Sequence, residues 1–323
     1  MKATAQAHPN IALIKYWGNR DHALRLPANP SLSMNLDGLL TTTTVEFDPA
    51  LNSDQLLLDG KEVIGAGLDR VSGFLDRVRQ LNESKLFARV ESENNFPSGA
   101  GIASSASAFA ALAVAASAAA KMNLDEAQLS RLARLGSGSA CRSVPGGFVE
   151  WALGTDDRSS YARSIAPADH WDLTDLIAIV DMGHKSVGST EGHSLANTSA
   201  LQAARVASAP DRLARARSAV LKRDFDSLTK VVELDSLMMH AVMMTSKPSL
   251  MYWQPATIAV MQAVIDWRRA GLSACATIDA GPNVHVLCLA QDTEQVTQRL
   301  QKISGVRKIL SAKAGGPARL IET

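Results

Sequence analysis

The stretch that most narrows the fold is Asn94-Asn95-Phe96-Pro97-Ser98-Gly99-Ala100-Gly101-Ile102-Ala103-Ser104-Ser105, lying between an alternating segment and an alanine-rich one. Phe87 to Glu93 alternates apolar and polar residues, the period of a half-buried strand. From about Ser104 to Lys121 the residues are mostly alanine with little polar surface, which predicts a buried helix. Strand, small-residue turn and helix in that order leave free backbone N–H groups and the positive end of a helix dipole at the turn. Small side chains also let a ligand approach that backbone closely. The loop is therefore expected to bind phosphate, with Ser104 and Ser105 able to cap the helix or touch a phosphate or its Mg2+. It is not a Walker A loop, because no Gly-Lys-Ser/Thr follows the glycines. Ser104 also stands where the dinucleotide fingerprint has its third glycine, which argues against a nicotinamide dehydrogenase.

Three other places carry chemistry-bearing residues. Gly136-Ser137-Gly138-Ser139-Ala140-Cys141-Arg142-Ser143 offers hydroxyls, amides and one guanidinium able to grip a carboxylate or phosphate through two hydrogen bonds. The competing reading is a helix-ending loop with a surface arginine. Thr277-Ile278-Asp279-Ala280-Gly281-Pro282-Asn283 puts an aspartate at a strand end before a Gly-Pro turn, where it is either turn chemistry or a functional carboxylate. Lys15 ends the apolar run Ile11-Ala12-Leu13-Ile14, and either snorkels to the surface or lies beside a carboxylate. The seven histidines show no ligand spacing, and His193 and His240 read as ordinary surface or helix residues.

Around these motifs, Thr41 to Phe47 reads as a strand and Leu124 to Leu135 as a helix, with Asp125 at its first turn and Gly136 as its stop. Leu176 to Val180 is a buried strand. Later, helical patterns run from Leu195 to Val220, Asp224 to Met244 and Ala256 to Ala270. They are followed by a strand ending at Ile278, a second from Val284 to Leu289, a helix from Thr293 to Ile303 and a strand near Lys308 to Ser311. That order suits a helix-covered antiparallel sheet. The chain of 323 residues is long enough for two lobes, here expected at 1–183 and 184–323. A net charge of +1 gives no global field for nucleic acid or an anionic membrane, so an anion must be held locally. Cys141, Cys275 and Cys288, odd in number and widely spaced, fit a reducing compartment. The apolar stretch Ala106 to Ala120 is too short to span a bilayer, and no signal peptide is visible, so the expected location is cytoplasmic.

Asn10-Ile11-Ala12-Leu13-Ile14-Lys15-Tyr16-Trp17-Gly18, the Asn94 to Ser105 loop, the Gly136 to Ser143 segment and Asp279-Ala280-Gly281-Pro282-Asn283 occur in the order seen in mevalonate diphosphate decarboxylases. Over nearly the whole chain, from Ala5 to Gly316, the sequence resembles that family of the GHMP kinase superfamily. The resemblance implies an α+β fold with a ribosomal-S5-like N-terminal lobe and a ferredoxin-like C-terminal lobe. It implies an enzyme of isoprenoid biosynthesis that uses ATP and Mg2+ on a phosphorylated mevalonate, and a homodimer. Pro97, Ser98, Gly99, Ala100, Gly101, Ala103, Ser104 and Ser105 would cradle ATP. Asp279, Lys15 and Arg142 would be catalytic, with Asp279 near the tertiary 3-hydroxyl and Arg142 on the substrate carboxylate. Asn10, Tyr16, Asn19, Ser137, Gly138, Ser139, Ser189 and Thr190 would bind substrate.

One position departs from the family pattern. Diphosphate-specific members usually read Tyr-Trp-Gly-Lys, and their lysine grips the terminal phosphate; Asn19 stands there in this chain. A charged hydrogen bond to phosphate contributes about 1.5–3 kcal/mol, so its loss shifts preference more than tenfold. The resemblance is closest to the branch that acts on mevalonate 5-phosphate and gives isopentenyl phosphate, with mevalonate 5-diphosphate as the alternative should Arg20 replace the missing charge. A mevalonate-type kinase without decarboxylation, or a non-catalytic phosphate-ligand sensor, would have no need to keep Asp279, Lys15 and Arg142 together.

Overall fold

The computed structural model describes residues 1–97, 102–183 and 188–322. Thr41–Asp48 and Phe87–Asn94 pair antiparallel along their full lengths. The alternation explains the pairing, since Thr41, Thr43, Val45 and Phe47 turn inward and are buried. Lys2–Ala7 adds to the other edge of Thr41–Asp48, and Arg319–Glu322 adds in turn to Lys2–Ala7. Gln55–Leu58 lies parallel to Phe87–Asn94 and carries the short strand Lys61–Glu62. The helix Ser104–Ala119 packs on this sheet, as the alanine-rich pattern predicts. Its small side chains meet Ala3, Ala5 and Ala7, so helix and sheet approach closely. No described helix is long and apolar enough to cross a membrane.

Two features of this lobe were not anticipated. Lys2–Ala7 is a strand built on alanine, which has little intrinsic strand preference, so its pairing comes from its neighbours. Ala66–Leu81 is a helix whose Phe74, Leu75 and Val78 are buried at helical spacing. A second antiparallel sheet runs Ala162–Ala166, Phe148–Trp151, Ser31–Asn35, Asn10–Ile14, and Lys15 follows directly on its last strand.

The C-terminal lobe has an antiparallel sheet in the order Ala274–Thr277, Val284–Leu289, Leu173–Ile179, Lys308–Lys313. One face meets the helix Phe225–Met244, and the other is covered by Pro255–Arg269 and Thr293–Leu300. This is the helix-covered antiparallel sheet read from the sequence. Leu173–Ile179, which precedes the expected division at residue 183, is an inner strand of this second-lobe sheet. A uniformly apolar run shows that a strand is buried but not which sheet buries it. The helical pattern from Leu195 to Val220 is also divided, into Ser189–Leu195, Gln202–Ala207 and Ala209–Lys222. Pro210, in the first turn of the last segment, lacks the N–H that a continuous helix would use there.

The lobes are stitched together near the chain's end. Asp37 N–H donates to Lys313 O and Gly315 N–H to Asn35 O, both at 2.8 Å, before the chain continues into Arg319–Glu322 on the first sheet.

Candidate active site

A cavity of about 570 Å³ opens between the end of strand Asn10–Ile14, the start of the Ser104–Ala119 helix, the segment 137–142 and the turn after strand Ala274–Thr277. On one wall, Lys15 Nζ donates to Asp279 Oδ1 at 2.6 Å. Lys15 is 1% exposed, whereas the Asp279 side chain keeps 24% of its surface open. The lysine therefore does not snorkel; its backbone is clamped as well. Its N–H donates to Asp235 Oδ2 at 2.6 Å, and its carbonyl accepts from Asn29 Nδ2 and Arg205 Nη2, both at 2.9 Å. Asp279 is set by the turn after Ala274–Thr277, where Gly281 N–H donates to its carbonyl at 2.7 Å. Asn283 fixes the other side of that turn by accepting from the N–H groups of Val180 and Asp181. Burial pushes the Asp279 carboxyl up, but Lys15, His285 and Arg142 outweigh it and hold it below its ordinary value.

Arg142 is buried, not a surface residue of a helix-ending loop. Its Nη1 donates to Ser31 Oγ at 2.7 Å and its Nη2 to Asn10 Oδ1 at 3.2 Å, while buried Nε has no partner among the described residues. Asn10 does not line the cavity. It stands behind Arg142 and donates to Ser143 Oγ and Ser139 O, which orients the guanidinium. Ser137, Gly138, Ser139 and Thr190 do line the cavity. Gly138 has no room for a side chain, since an added Cβ would lie 2.5 Å from the Tyr16 ring.

At the phosphate-loop end, Ala103, Ser104 and Ser105 line the cavity, and Ser105 Oγ lies 3.3 Å from Ser137 Oγ, joining the two serine-rich segments. Ala103 adopts the left-handed conformation just before the helix begins. Pro97 is described but is not part of the wall; Ser98, Gly99, Ala100 and Gly101, and the side chain of Ser189, lie outside the described residues.

Asn19 is buried behind Tyr16, whose hydroxyl donates to its Oδ1, and it does not face the cavity. Arg20 does not supply the missing charge: it is exposed and donates to Leu153 O at 3.0 Å. Two other arginines that sequence reasoning did not single out as site residues do line the wall. Arg25 Nε donates to Leu135 O at 3.0 Å, and Arg70 Nη2 donates to Gly136 O at 2.8 Å, its guanidinium 4.6 Å above the Phe109 ring. Burial, with Arg25 adding to it, lowers Arg70 to about 10. His193 is also a wall residue, contrary to the surface reading, and His240 is buried against Ile278 O. A histidine's burial leaves no local sequence signal, so both were missed.

The cavity thus carries four basic side chains, Lys15, Arg25, Arg70 and Arg142, against two carboxylates, Asp279 and Glu191. In so neutral a chain this is a local anion site. No cluster of three or more His, Cys, Asp or Glu side chains that could hold a metal occurs among the described residues. Four cations against two carboxylates fit a polyphosphate that brings its own Mg2+.

Comparisons with known proteins agree with this chemistry. Residues 7–162 match the diphosphomevalonate decarboxylase-like N-terminal domain, and residues 175–318 match the mevalonate 5-diphosphate decarboxylase C-terminal domain. A diphosphomevalonate decarboxylase of Aspergillus fumigatus is 40% identical over 94% of this chain and 81% of its own length. A phosphomevalonate decarboxylase of Haloferax volcanii is 36% identical, covering 100% of this chain and 98% of its own. The solved complex of MDDEF with MVAPP, AMPPCP and magnesium superposes with a TM-score of 0.94 at 39% identity, covering 100% of this chain and 99% of the other. The two-lobe GHMP kinase fold holds through both halves, and the chain belongs to the diphosphomevalonate decarboxylase family.

Proposed function

We propose that this ATP-dependent carboxy-lyase acts on mevalonate 5-phosphate and releases isopentenyl phosphate. The observation that carries the decarboxylase reading is the buried Lys15–Asp279 pair facing one cavity with Arg142. In this assignment Arg142, oriented by Asn10 and Ser31, holds the substrate carboxylate. Asp279, kept ionised by Lys15, faces the tertiary 3-hydroxyl. There it takes the hydroxyl proton or stabilises positive charge developing on the tertiary carbon. ATP with Mg2+ supplies the phosphoryl group that converts a poor leaving group into a good one. The first turn of the Ser104–Ala119 helix and the neighbouring Arg70 would receive the nucleotide phosphates. Ser137, Gly138, Ser139 and Thr190 would contact the substrate.

The monophosphate preference is supported by the uncharged Asn19, held against Tyr16 and away from the cavity, and by the full-length likeness to the Haloferax volcanii enzyme. Arg25 favours a second reading, mevalonate 5-diphosphate, because it adds a cation to the same wall. Purified protein given ATP, Mg2+ and each substrate separately decides between them when CO2 and ADP are measured. CO2 chiefly from the monophosphate upholds the proposal, and CO2 chiefly from the diphosphate replaces it with the second reading. ADP without CO2 from either identifies a kinase. Asn19→Lys should raise kcat/KM for the diphosphate relative to the monophosphate. The homodimer is proposed on the same resemblance and is tested by sedimentation velocity.

A further inference from the structure

His193 projects from the short helix Ser189–Leu195 into the wall of the cavity. Its ring stacks on Tyr16, with centroids 4.1 Å apart and planes 30° apart, and its centroid lies 4.7 Å from that of Trp17. The neighbouring Gly192 tightens this arrangement, since an added Cβ there would lie 2.5 Å from the Trp17 ring. Contacts with both aromatics and the hydrogen bond from Gly18 restrain the imidazole.

Its tautomer is fixed too. Gly18 N–H donates to His193 Nδ1 at 3.0 Å, so a neutral ring carries its proton on Nε2. No described residue accepts from Nε2. Burial, with Arg25, Arg205, His22 and Arg142 acting in the same sense, pushes His193 down to about 3, so the ring is neutral in ordinary solution. The cavity therefore holds a rigid, uncharged donor in the corner formed with Tyr16 and Arg25.

In the assignment above, Arg142 takes the substrate carboxylate and Lys15–Asp279 the reacting carbon. The polar end of the substrate left over is its 5-phosphate. We propose that His193 Nε2–H donates to a terminal oxygen of that phosphate and contributes to the selection of one phosphoryl group over two. A phosphate monoester carries a charge of about −1.5 to −2 at neutral pH, which the single charge of Arg25 balances in part. A diphosphate brings a further phosphoryl group and more charge. The restrained imidazole and the uncharged Asn19 add no positive charge to meet it.

The proposal deepens the monophosphate reading and rests on it, but the two fail separately. His193→Phe keeps a stacking ring and removes the donor, whereas His193→Gln keeps an N–H donor of similar reach. His193→Phe also removes the acceptor for Gly18 N–H, which the carboxamide oxygen of Gln can still supply, so the contrast is read together with the wild-type imidazole resonance. His193→Phe should raise KM for mevalonate 5-phosphate about tenfold or more, with kcat within a few-fold and KM for ATP unmoved. His193→Gln should recover most of that loss. Equal KM values for the two variants, or a parallel rise in KM for ATP, would overturn the assignment. If the wild-type enzyme prefers the diphosphate, the monophosphate reading falls, while the Phe–Gln contrast on the preferred substrate still decides whether His193 donates. Should the Phe variant fold poorly, 15N NMR of wild-type imidazole answers the same question. An Nε2–H resonance that shifts on adding mevalonate 5-phosphate supports the contact, and an unmoved one overturns it.

Discussion

Lys15 and Asp279 depend on each other in opposite ways. Lys15 is buried at a depth where an unpaired ammonium would be costly, and Asp279 is the carboxylate it faces at 2.6 Å. Asp279→Asn should lower CO2 release by at least about 10²–10⁴-fold while leaving ATP binding nearly intact, which equilibrium titration with an ATP analogue would check. Lys15→Met removes the main cation that holds Asp279 below its ordinary value. Burial then acts with less opposition, so the carboxyl moves up. The acid limb of kcat/KM should shift to higher pH, and an unmoved limb would show that Lys15 does not set the charge on Asp279. Their neighbours, an apolar strand before Lys15 and a Gly-Pro turn after Asp279, drew notice to both residues but left snorkelling and turn chemistry open, and only the family resemblance paired them. Arg25 and Arg70 were not, because an arginine in a polar stretch looks the same whether it faces solvent or a cavity. Nothing local to Asn10 shows that it stands behind Arg142 rather than beside the substrate.

Asp235 joins three elements. Its Oδ1 accepts from Arg212 Nε at 2.7 Å and its Oδ2 from Lys15 N–H at 2.6 Å, so the helices Ala209–Lys222 and Phe225–Met244 are fastened to the end of strand Asn10–Ile14. Asp235 and Arg212 are both buried. Removing one partner leaves the other charge uncompensated, so Asp235→Ala should cost about 3–5 kcal/mol in urea unfolding. A loss below about 1 kcal/mol would mean that water reaches Arg212 instead. Elements with a strong local signal were legible: Asp125 caps its helix in a capping box with Gln128, and Asp224 caps Phe225–Met244 by accepting from Ser227 N–H. What stayed hidden was placement across distance. The partners of Leu173–Ile179 are Val284–Leu289 and Lys308–Lys313, far along the chain, and no periodicity within seven residues encodes them.

For the whole molecule, pH acts through histidines that folding keeps neutral. Burial is the largest cause for both: it pushes His193 to about 3 and His240 to about 4, against an ordinary value of 6.5. Below that ordinary value the unfolded chain takes up protons that the folded chain refuses, so stability falls as pH drops from about 6.5 toward 4. The two together should remove about 4 kcal/mol between pH 7 and pH 5, about 2 kcal/mol apiece. Urea midpoints measured across that range check this, and His240→Gln should flatten the slope by about half. The stitching of the lobes bears on a different question, the order in which a ribosome can finish the protein. Lys2–Ala7 emerges far ahead of Arg319–Glu322, one of its two neighbours in the sheet, and Arg319 reaches Gln6 across 313 positions. While the second lobe is being made, that edge of the first lobe presents unpaired amides and carbonyls to the surrounding cell. Translation cannot deliver one completed lobe and then the other; the first waits, open-edged and in need of shielding, until the second has been made.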